Sequence, residues 1–342
     1  MLNIYVHKKI DSISHIPLLD YYWGSSNLGV KRSGDKAIEL FNKQFFNLVE
    51  NPKEAHYFMI PHNYFYIKTP GYLDDFIKLS KEYNKKIIVF SYGDSDADIN
   101  IPNSIIFRTS QYAYKKKENE IIMPAIADDL LGEGRVAIKN KSSKPTVGFC
   151  GWASFDSVWG FIKQYVKSLP AFLMRSPKRK GILFRIKAIK VLKKSGLLYT
   201  NFIIRDTYSG NEKTRIGDFD ELRKEYIKNI LESDFSLAVK GDGNFSIRFY
   251  EILSLGRVPL FVNTDCVLPL EDVINYDDFI LKVDYKNIKH TAQIVSDFYG
   301  NLPENEFVSM QIKAREVFEN YLRIDKYFEY VFSDADPLKL NR

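Results

Sequence analysis

The sequence is short of the residues on which several classes of protein depend. Its 342 residues include two cysteines and five histidines, none of them in the paired spacing of metal ligands. These counts exclude a disulfide scaffold and a structural zinc site. No apolar run approaches the roughly 20 residues that a membrane-spanning helix needs, and residues 1–7 have the length of a strand and not of a leader peptide. We therefore expect a soluble, cytoplasmic protein.

Acidic residues are missing from one long window. Residues 157–205, here called the basic window, hold twelve Lys or Arg and no Asp or Glu, so the rest of the chain carries 37 basic against 43 acidic residues. Within the window, residues 175–194 place apolar side chains near helical spacing, with lysines and arginines between them.

Two interpretations fit residues 175–194. One is a basic amphipathic helix that rests on an anionic membrane surface, at the inner face, or on an anionic glycan. The other is a core helix with a solvated basic face. No nucleic-acid-binding motif accompanies the charge, so we expect no nucleic-acid partner.

Apolar strands alternate with helical patterns through most of the chain, which predicts parallel sheets covered by helices. A polar, glycine-bearing stretch at 132–145 has the character of a linker. The pattern thus predicts an α/β protein with a first doubly wound, Rossmann-like domain at 1–135 and a second at 146–305. A helical segment, 306–342, follows and is expected to cross back to the first domain.

The most informative stretch is 233–279, which reads as strand, glycine turn, helix and strand. Such a unit presents free backbone N–H groups and a positive helix end to a phosphate group. Arg248 and Glu251 lie three residues apart and share one face of the helix. A cation near the turn suits a diphosphate, and a carboxylate one turn deeper suits ribose hydroxyls. An ordinary βαβ unit with a surface ion pair has the same spacing.

This stretch resembles the C-terminal signature of the exostosin-like glycosyltransferases. The matching positions are Ser233, Phe235, Leu237, Gly241, Ser246, Arg248, Glu251, Gly256, Pro259, Asp265, Leu268 and Pro269. Weaker similarities follow the order of the family upstream, at 57–61, 89–94, 123–125 and 147–151. Arg257 stands where the family commonly has Cys, and Tyr276 where it commonly has Trp, which leaves the donor sugar open.

The resemblance implies a soluble, bacterial type of member with the GT-B architecture, two facing Rossmann-like domains with a cleft between them. It also implies an inverting transfer from a nucleoside diphosphate sugar, with UDP as the expected nucleotide, to a saccharide hydroxyl of a surface polysaccharide. Two alternatives remain open at this point. One is a fucosyltransferase-like enzyme that uses a GDP-sugar, and the other is a non-catalytic glycan- or nucleotide-binding module.

Candidate nucleotide-binding residues surround the glycine turn. The side chains of Lys240 and Arg248 and the backbone of the turn are expected to offset diphosphate charge, and Arg205 at a strand end is a further phosphate candidate. Glu251 resembles the ribose-binding carboxylate of the family. The complete set is Arg205, Lys240, Gly241, Gly243, Asn244, Ser246, Arg248 and Glu251.

The catalytic base is expected from the first domain, across the cleft. Asp94 follows a strand end and is the favoured base, and His62, which follows another strand end, is the second candidate. The spacing of Asp94, Asp96 and Asp98 is also that of a divalent metal site, but the two-domain pattern favours catalysis without metal. No cofactor is expected.

Overall fold

The computed structural model describes residues 1–25, 35–155, 157–174, 176–208 and 216–333. Two parts of the predictions, Arg175 in the basic window and residues 334–342 of the C-terminal segment, lie outside this set. Among the described residues, no helix is long and apolar enough to cross a bilayer.

The first half of the chain forms a six-stranded sheet in the order β2-β1-β3-β4-β5-β6 with every neighbouring pair parallel. Every residue of the central strands β3, β4 and β5 is buried, as expected of a parallel sheet covered on both faces. The strands are β1 Asn3–Tyr5, β2 Asn47–Val49, β3 Tyr57–Asn63, β4 Ile87–Ser91, β5 Ser104–Arg108 and β6 Glu120–Ile122.

The second half forms a five-stranded parallel sheet in the order β11-β10-β9-β7-β8. Its strands are β7 Thr146–Trp152, β8 Tyr199–Arg205, β9 Phe235–Ala238, β10 Val258–Asn263 and β11 Leu281–Asp284. Two parallel-sheet units confirm the predicted α/β, GT-B fold class.

Helices connect and cover these strands. In chain order they are α1 Asp20–Trp23, α2 Asp35–Glu39, α3 Tyr72–Tyr83, α4 Val158–Lys167, α5 Leu169–Leu173, α6 Gly181–Lys194, α7 Phe219–Leu231, α8 Ile247–Ser254, α9 Thr291–Asn301, α10 Glu304–Val317 and α11 Ile324–Ser333. A π-helical turn, Phe318–Leu322, joins α10 to α11.

One helix prediction was wrong in its extent. The apolar pattern at 35–49 predicts a single helix, but α2 ends at Glu39 and residues 47–49 form β2 at the edge of the first sheet. Asn47 pairs with Asn3 of β1, and its side chain also donates to the Asn3 side chain (3.1 Å). Pairing with β1 therefore overrides the local helical pattern, because it gives the edge backbone its hydrogen-bond partners.

The strand order fixes where a ligand can bind. In the second sheet β7 lies between β8 and β9. The connection after β7 therefore runs to one side of this strand, the connection after β8 crosses to its other side, and a crevice opens at the carboxyl ends of β7 and β9. Ligands of open parallel sheets bind at such a switch point. Strand β7 ends at Trp152, and Val239 directly follows the last residue of β9.

The C-terminal helix α11 packs on the first domain. The Phe328 ring lies within 6.2 Å, centroid to centroid, of the rings of Phe41, Phe90 and Phe107. The Tyr327 hydroxyl donates to the Ile122 carbonyl at 3.1 Å. The chain after α10 thus returns from the second sheet to the first and fastens the two halves together.

Helix α6 occupies most of residues 175–194, and its apolar side is covered. Ile182, Phe184, Ile189 and Leu192 are buried in the core of the second domain, while the lysines of its last turns are exposed. A Cβ atom at Gly181 would lie 2.0 Å from the Lys240 carbonyl oxygen, so the helix begins in direct backbone contact with the segment after β9. This is the arrangement of a core helix with a solvated basic face.

Candidate active site at the glycine turn

A cavity of about 440 Å³ opens at the switch point of the second sheet. The carboxyl end of β7, the segment after β9, the first turn of α8 and one face of α7 form its walls. Asp94 of the first domain also borders the cavity. Of the ten site residues that the sequence predicts, six line it: Asp94, Arg205, Gly241, Ser246, Arg248 and Glu251.

The glycine turn is held from the first domain. The Gly243 N–H donates to Asp94 Oδ1 (3.0 Å), and the Asn244 N–H donates to Ser110 Oγ (2.9 Å). The Asn244 side chain donates in addition to the carbonyl of Gln111 (3.0 Å). Gly243 and Asn244 therefore form an interdomain junction, and both of their N–H groups are already engaged.

The loop that carries Asp94 is positioned by a buried arginine. The Arg108 side chain is fully buried and paired with Glu120. It donates to the carbonyl of Ser95 (2.9 Å), which follows Asp94, and to that of Ser110 (2.8 Å), whose hydroxyl holds Asn244. A buried charge of this kind needs both an ion partner and satisfied hydrogen bonds, and Arg108 has both.

The start of α8 supplies the dipole that the sequence predicts. Ser246 occupies the N-cap position with extended backbone angles, and its side chain makes no capping hydrogen bond. The first-turn N–H groups of a helix have no partner within the helix, and the positive end of the dipole lies there. Because Ser246, Ile247 and Arg248 all line the cavity, this end borders it directly.

Two arginines meet at the cavity, and one of them was not predicted. Arg248 Nη2 donates to the Cys150 carbonyl (2.7 Å), and its guanidinium lies 4.1 Å above the Phe149 ring. Arg185 of α6 donates to the carbonyls of Lys240 (3.0 Å) and Trp152 (3.4 Å). These partners are neutral carbonyls, so the positive charge of neither guanidinium is balanced by them.

The electrostatics of this pair favour an anion. Burial, followed by the positive charge of Arg248, lowers the pKa of Arg185 from 12.5 to about 10. Arg248 Nε is buried and has no hydrogen-bond partner among the described residues. A Cβ atom at Gly151 would lie 2.6 Å from Arg248 Nη2, so a larger residue at this position of β7 would displace the end of the arginine side chain.

Glu251 is buried and already coordinated. It accepts hydrogen bonds from Arg223 Nη1 (2.8 Å) and from the Tyr226 hydroxyl (2.6 Å), and Arg223 also binds Asp128 (3.2 Å). Burial alone would lower the pKa of Arg223, but Glu251, Tyr226 and Asp128 together outweigh it and the pKa is raised. Sequence reasoning missed Arg223 and Tyr226, since nothing in the spacing of α7 distinguishes them from surface residues.

Two of the predicted residues, Arg205 and Lys240, already have partners for their side chains. Arg205 lines the cavity but is paired with Glu225. The Lys240 amino group donates to the Tyr112 hydroxyl (2.8 Å) and the Pro177 carbonyl (2.9 Å), and burial lowers its pKa to about 8. Lys240 thus contributes to the interdomain contact rather than to the wall of the cavity.

His62 lies outside the cavity wall. The Ile10 N–H donates to its Nε2 (2.8 Å), so Nδ1 carries the proton and donates to the Ser14 carbonyl (3.1 Å). Burial lowers the pKa of His62, which favours this neutral form. Asp94 is the one of the two base candidates that the structure places at the cavity.

Two of the three carboxylates that suggested a metal site, Asp96 and Asp98, are paired with lysines. Asp96 contacts Lys178 (3.2 Å) and Lys115 (3.6 Å), and Asp98 also contacts Lys115 (3.6 Å). Across the described ranges, no group of three or more His, Cys, Asp or Glu side chains has the arrangement of a metal site. Such ion pairs occupy the oxygens that a cation would need.

The two departures from the exostosin pattern lie in the core. Arg257 is buried and donates to the Leu231 (3.1 Å) and Gly256 (3.1 Å) carbonyls, and the Tyr276 hydroxyl donates to the Pro269 carbonyl (2.7 Å). Neither residue is part of the cavity wall. They therefore alter the packing behind the site and not the surface that a donor would touch.

Two parallel-sheet domains with an anion-attracting cavity at a switch point are the architecture of a GT-B glycosyltransferase. Residues 169–298, which include most of the cavity wall, match the exostosin GT47 domain, so this part of the chain is a glycosyltransferase domain of that type. The match confirms the resemblance seen in the sequence. No curated protein sequence matches the chain.

Solved structures with similar folds share little sequence with the chain. A glycosyltransferase from Rickettsia africae is 14% identical over 98% of both chains, with a TM-score of 0.41. The Anabaena protein HepE, in complex with UDP-glucose, is 8% identical over 97% of this chain and 100% of that one, with a TM-score of 0.40. An alpha-glucosyltransferase in complex with UDP-glucose and DNA containing an abasic site is 12% identical over 96% of both chains, with a TM-score of 0.36.

Proposed function

We propose that the protein transfers a sugar from a nucleoside diphosphate donor, bound in the cavity, to a saccharide hydroxyl, with inversion at the anomeric carbon. The observation that carries the proposal is the pairing of Arg185 and Arg248 beside the first turn of α8. Both guanidinium groups have neutral carbonyls as hydrogen-bond partners, and both lie where a helix end adds positive potential. A diphosphate bound beside these two guanidinium groups would supply negative charge that their carbonyl partners do not.

The proposed reaction builds up negative charge on the leaving diphosphate. The acceptor oxygen forms a bond to the anomeric carbon while the bond from that carbon to the diphosphate breaks, and the leaving diphosphate keeps the electron pair. Arg185, Arg248 and the α8 terminus would stabilise the growing negative charge. Asp94, which also borders the cavity, would take the proton of the acceptor hydroxyl.

Glu251 would bind the ribose hydroxyls of the donor. Arg223 and Tyr226 hold the carboxylate in one orientation from α7, and each carboxylate oxygen can accept more than one hydrogen bond. The expectation that the nucleotide is UDP rests on the exostosin resemblance. With two arginines and a helix end already facing the diphosphate, we expect transfer to continue in the presence of excess chelator.

Calorimetry with UDP and GDP tests the site. Arg248→Ala and Arg185→Ala should each weaken UDP binding by about 1.5–3 kcal/mol, the contribution of a charge-assisted hydrogen bond. Arg135→Ala, at an exposed position of the linker, is the matched control and should bind like the wild type. Unchanged affinity in both cavity variants would contradict the assignment.

Three further outcomes distinguish the alternatives. Preference for GDP over UDP would favour a fucosyltransferase-like donor. Tight nucleotide binding without release of UDP from any UDP-sugar, across a panel of saccharide acceptors, would favour a binding module. Loss of turnover in chelator that manganese restores would show that a metal takes part.

A further inference from the structure

The described surface has one concentration of exposed apolar side chains. Of its 18 exposed large hydrophobic residues, seven lie within residues 159–174, on the short helices α4 and α5. We call this set the α4–α5 patch; it consists of Trp159 (79% exposed), Ile162, Tyr165, Val166 (58%), Leu169, Leu173 (78%) and Met174 (73%). The other eleven are scattered along the chain, which is normal for a soluble protein, whereas a cluster marks an interaction surface.

The patch has helical order. Positions 159, 162, 166, 169 and 173 follow one another at intervals of three and four, so their side chains follow one side of the helical path. Gln164, five residues after Trp159, lies on the other side of α4 and lines the cavity. Helix α4 therefore separates the nucleotide cavity from an apolar outer surface.

Positive charge accompanies the apolar side chains. Lys163 and Lys167 are exposed on α4, between members of the patch. The junction of α4 and α5 lies against the start of the basic helix α6, because the Lys180 N–H donates to Ser168 Oγ (3.2 Å). The whole basic window, 157–205, contains no acidic residue that would repel a negative surface.

We infer that the α4–α5 patch docks the protein on the surface of an anionic lipid bilayer. Trp and Tyr side chains favour the boundary between headgroups and acyl chains, Leu and Ile enter the acyl region, and lysines at the edge pair with anionic headgroups. A free anionic glycan would use the lysines but leave the exposed Trp159, Leu173 and Met174 without a partner. The bilayer accounts for both components of the patch.

This docking surface differs from the one that the sequence suggests. Residues 181–194 have the pattern of an amphipathic helix, but their apolar side is buried in the core and cannot enter a bilayer. The apolar side that is open to a membrane belongs instead to α4 and α5. Docking there would hold the cavity, on the other side of α4, at a fixed short distance from the lipid surface.

Vesicle sedimentation of the full chain tests the inference, independently of the transfer reaction. Wild-type protein should sediment with phosphatidylcholine vesicles that contain about 30% phosphatidylglycerol and should stay in solution with pure phosphatidylcholine. The double variant Trp159→Gln/Leu173→Gln should lose about tenfold or more in partitioning. Its matched control, Ile216→Gln/Ile312→Gln, removes two exposed apolar side chains elsewhere and should sediment like the wild type.

Charge is tested separately. Lys163→Gln/Lys167→Gln should weaken sedimentation, and added salt should weaken it further, whereas Lys78→Gln/Lys81→Gln on α3 should have no effect. Unchanged UDP binding by calorimetry would show that each variant is folded. Wild-type protein that ignores anionic vesicles, or patch variants that bind them normally, would overturn the inference. So would a wild-type dimer that dissociates on patch substitution, or binding to dextran sulfate without binding to vesicles.

Discussion

Gly243 and Asp94 join the two domains across the cleft. The Gly243 N–H donates to Asp94 Oδ1 at 3.0 Å, and a Cβ atom at Gly243 would lie only 2.7 Å from the Asp94 Cα. The glycine of the predicted phosphate turn is therefore required for contact with the other domain. Its φ lies outside the left-handed region, so the constraint is close approach and not backbone conformation.

Gly243→Ala should destabilise the protein by about 1–3 kcal/mol, the usual cost of overpacking a close contact. Urea unfolding measures the change. Gly300→Ala is the control, because Gly300 lies in α9 with no atom within 4 Å of the added Cβ, and alanine is the better helix former. We expect that variant to gain up to about 1 kcal/mol. An equal change in unfolding free energy in the two variants would show that close contact with Asp94 does not contribute to stability.

Asp94→Asn should lower kcat by about 10²–10⁴-fold while nucleotide affinity is kept, because asparagine still accepts from Gly243 but cannot take a proton. Asp98→Asn, on the same loop, is the control. His62→Gln should leave kcat unchanged and lower the free energy of unfolding, since both ring nitrogens of His62 hold backbone groups. Steady-state kinetics and urea unfolding of the three variants measure these effects. Loss of turnover in His62→Gln alone would show that His62, and not Asp94, is the base.

Arg223→Met should destabilise the protein by about 3 kcal/mol, because it leaves Glu251 buried without its cation. Adding Glu251→Gln should recover part of the loss, with a coupling energy of about 0.5–3 kcal/mol in a double-mutant cycle. Lys224→Met, the next residue on α7, breaks an exposed pair with Glu221 and should change unfolding little. Additive effects of the Arg223 and Glu251 substitutions would contradict the proposed support of the carboxylate.

The buried amino group of Lys240 should make stability depend on alkaline pH. Burial lowers its pKa from 10.5 to about 8, so between these two pH values the unfolded state binds a proton that the folded state has released. The free energy of unfolding should therefore rise with pH across this interval, by about 3 kcal/mol at most. Below pH 8 the ionisation of Lys240 should add no pH dependence.

Lys240→Met provides the comparison for this prediction. Other groups also titrate above pH 8, so the quantity to measure is the difference in unfolding free energy between wild type and variant at pH 7.5, 9 and 10. The free energy of unfolding of the wild type should increase relative to that of the variant as pH rises. Parallel curves would show that the charge of Lys240 is not penalised in the folded state.

Much of the fold could be read from the sequence. The apolar runs at 87–91 and 146–152 coincide with β4 and β7, because strands buried on both faces must be continuously hydrophobic. The pattern at 35–49 predicted one helix, but residues 47–49 form a strand. Their conformation depends on pairing with β1, which is distant in sequence and leaves no sign in the local pattern. The exostosin signature likewise pointed to Arg248 and Glu251, and both lie in the wall of the cavity.

What the sequence could not supply is the set of partners around those residues. Arg185 stood among twelve basic residues of its window, and only the start of α6 against the Lys240 carbonyl brings it to Arg248. Arg223 reaches Glu251 from a helix 28 residues earlier in the chain. Contacts of this range depend on how helices lie on the sheet.

The sequence by itself determined the alternation of strands and helices, the glycine turn and the excess of positive charge, since these follow from local periodicity and residue type. Only the tertiary structure decided which charges are balanced and which apolar faces are covered. The side chains of Arg205 and Lys240 bind Glu225 and Tyr112, whereas Arg185 and Arg248 donate to neutral carbonyls. The apolar side of α6 is buried in the core, whereas the α4–α5 patch is exposed. Burial and pairing depend on the neighbours that folding brings together, and those neighbours are distant in sequence.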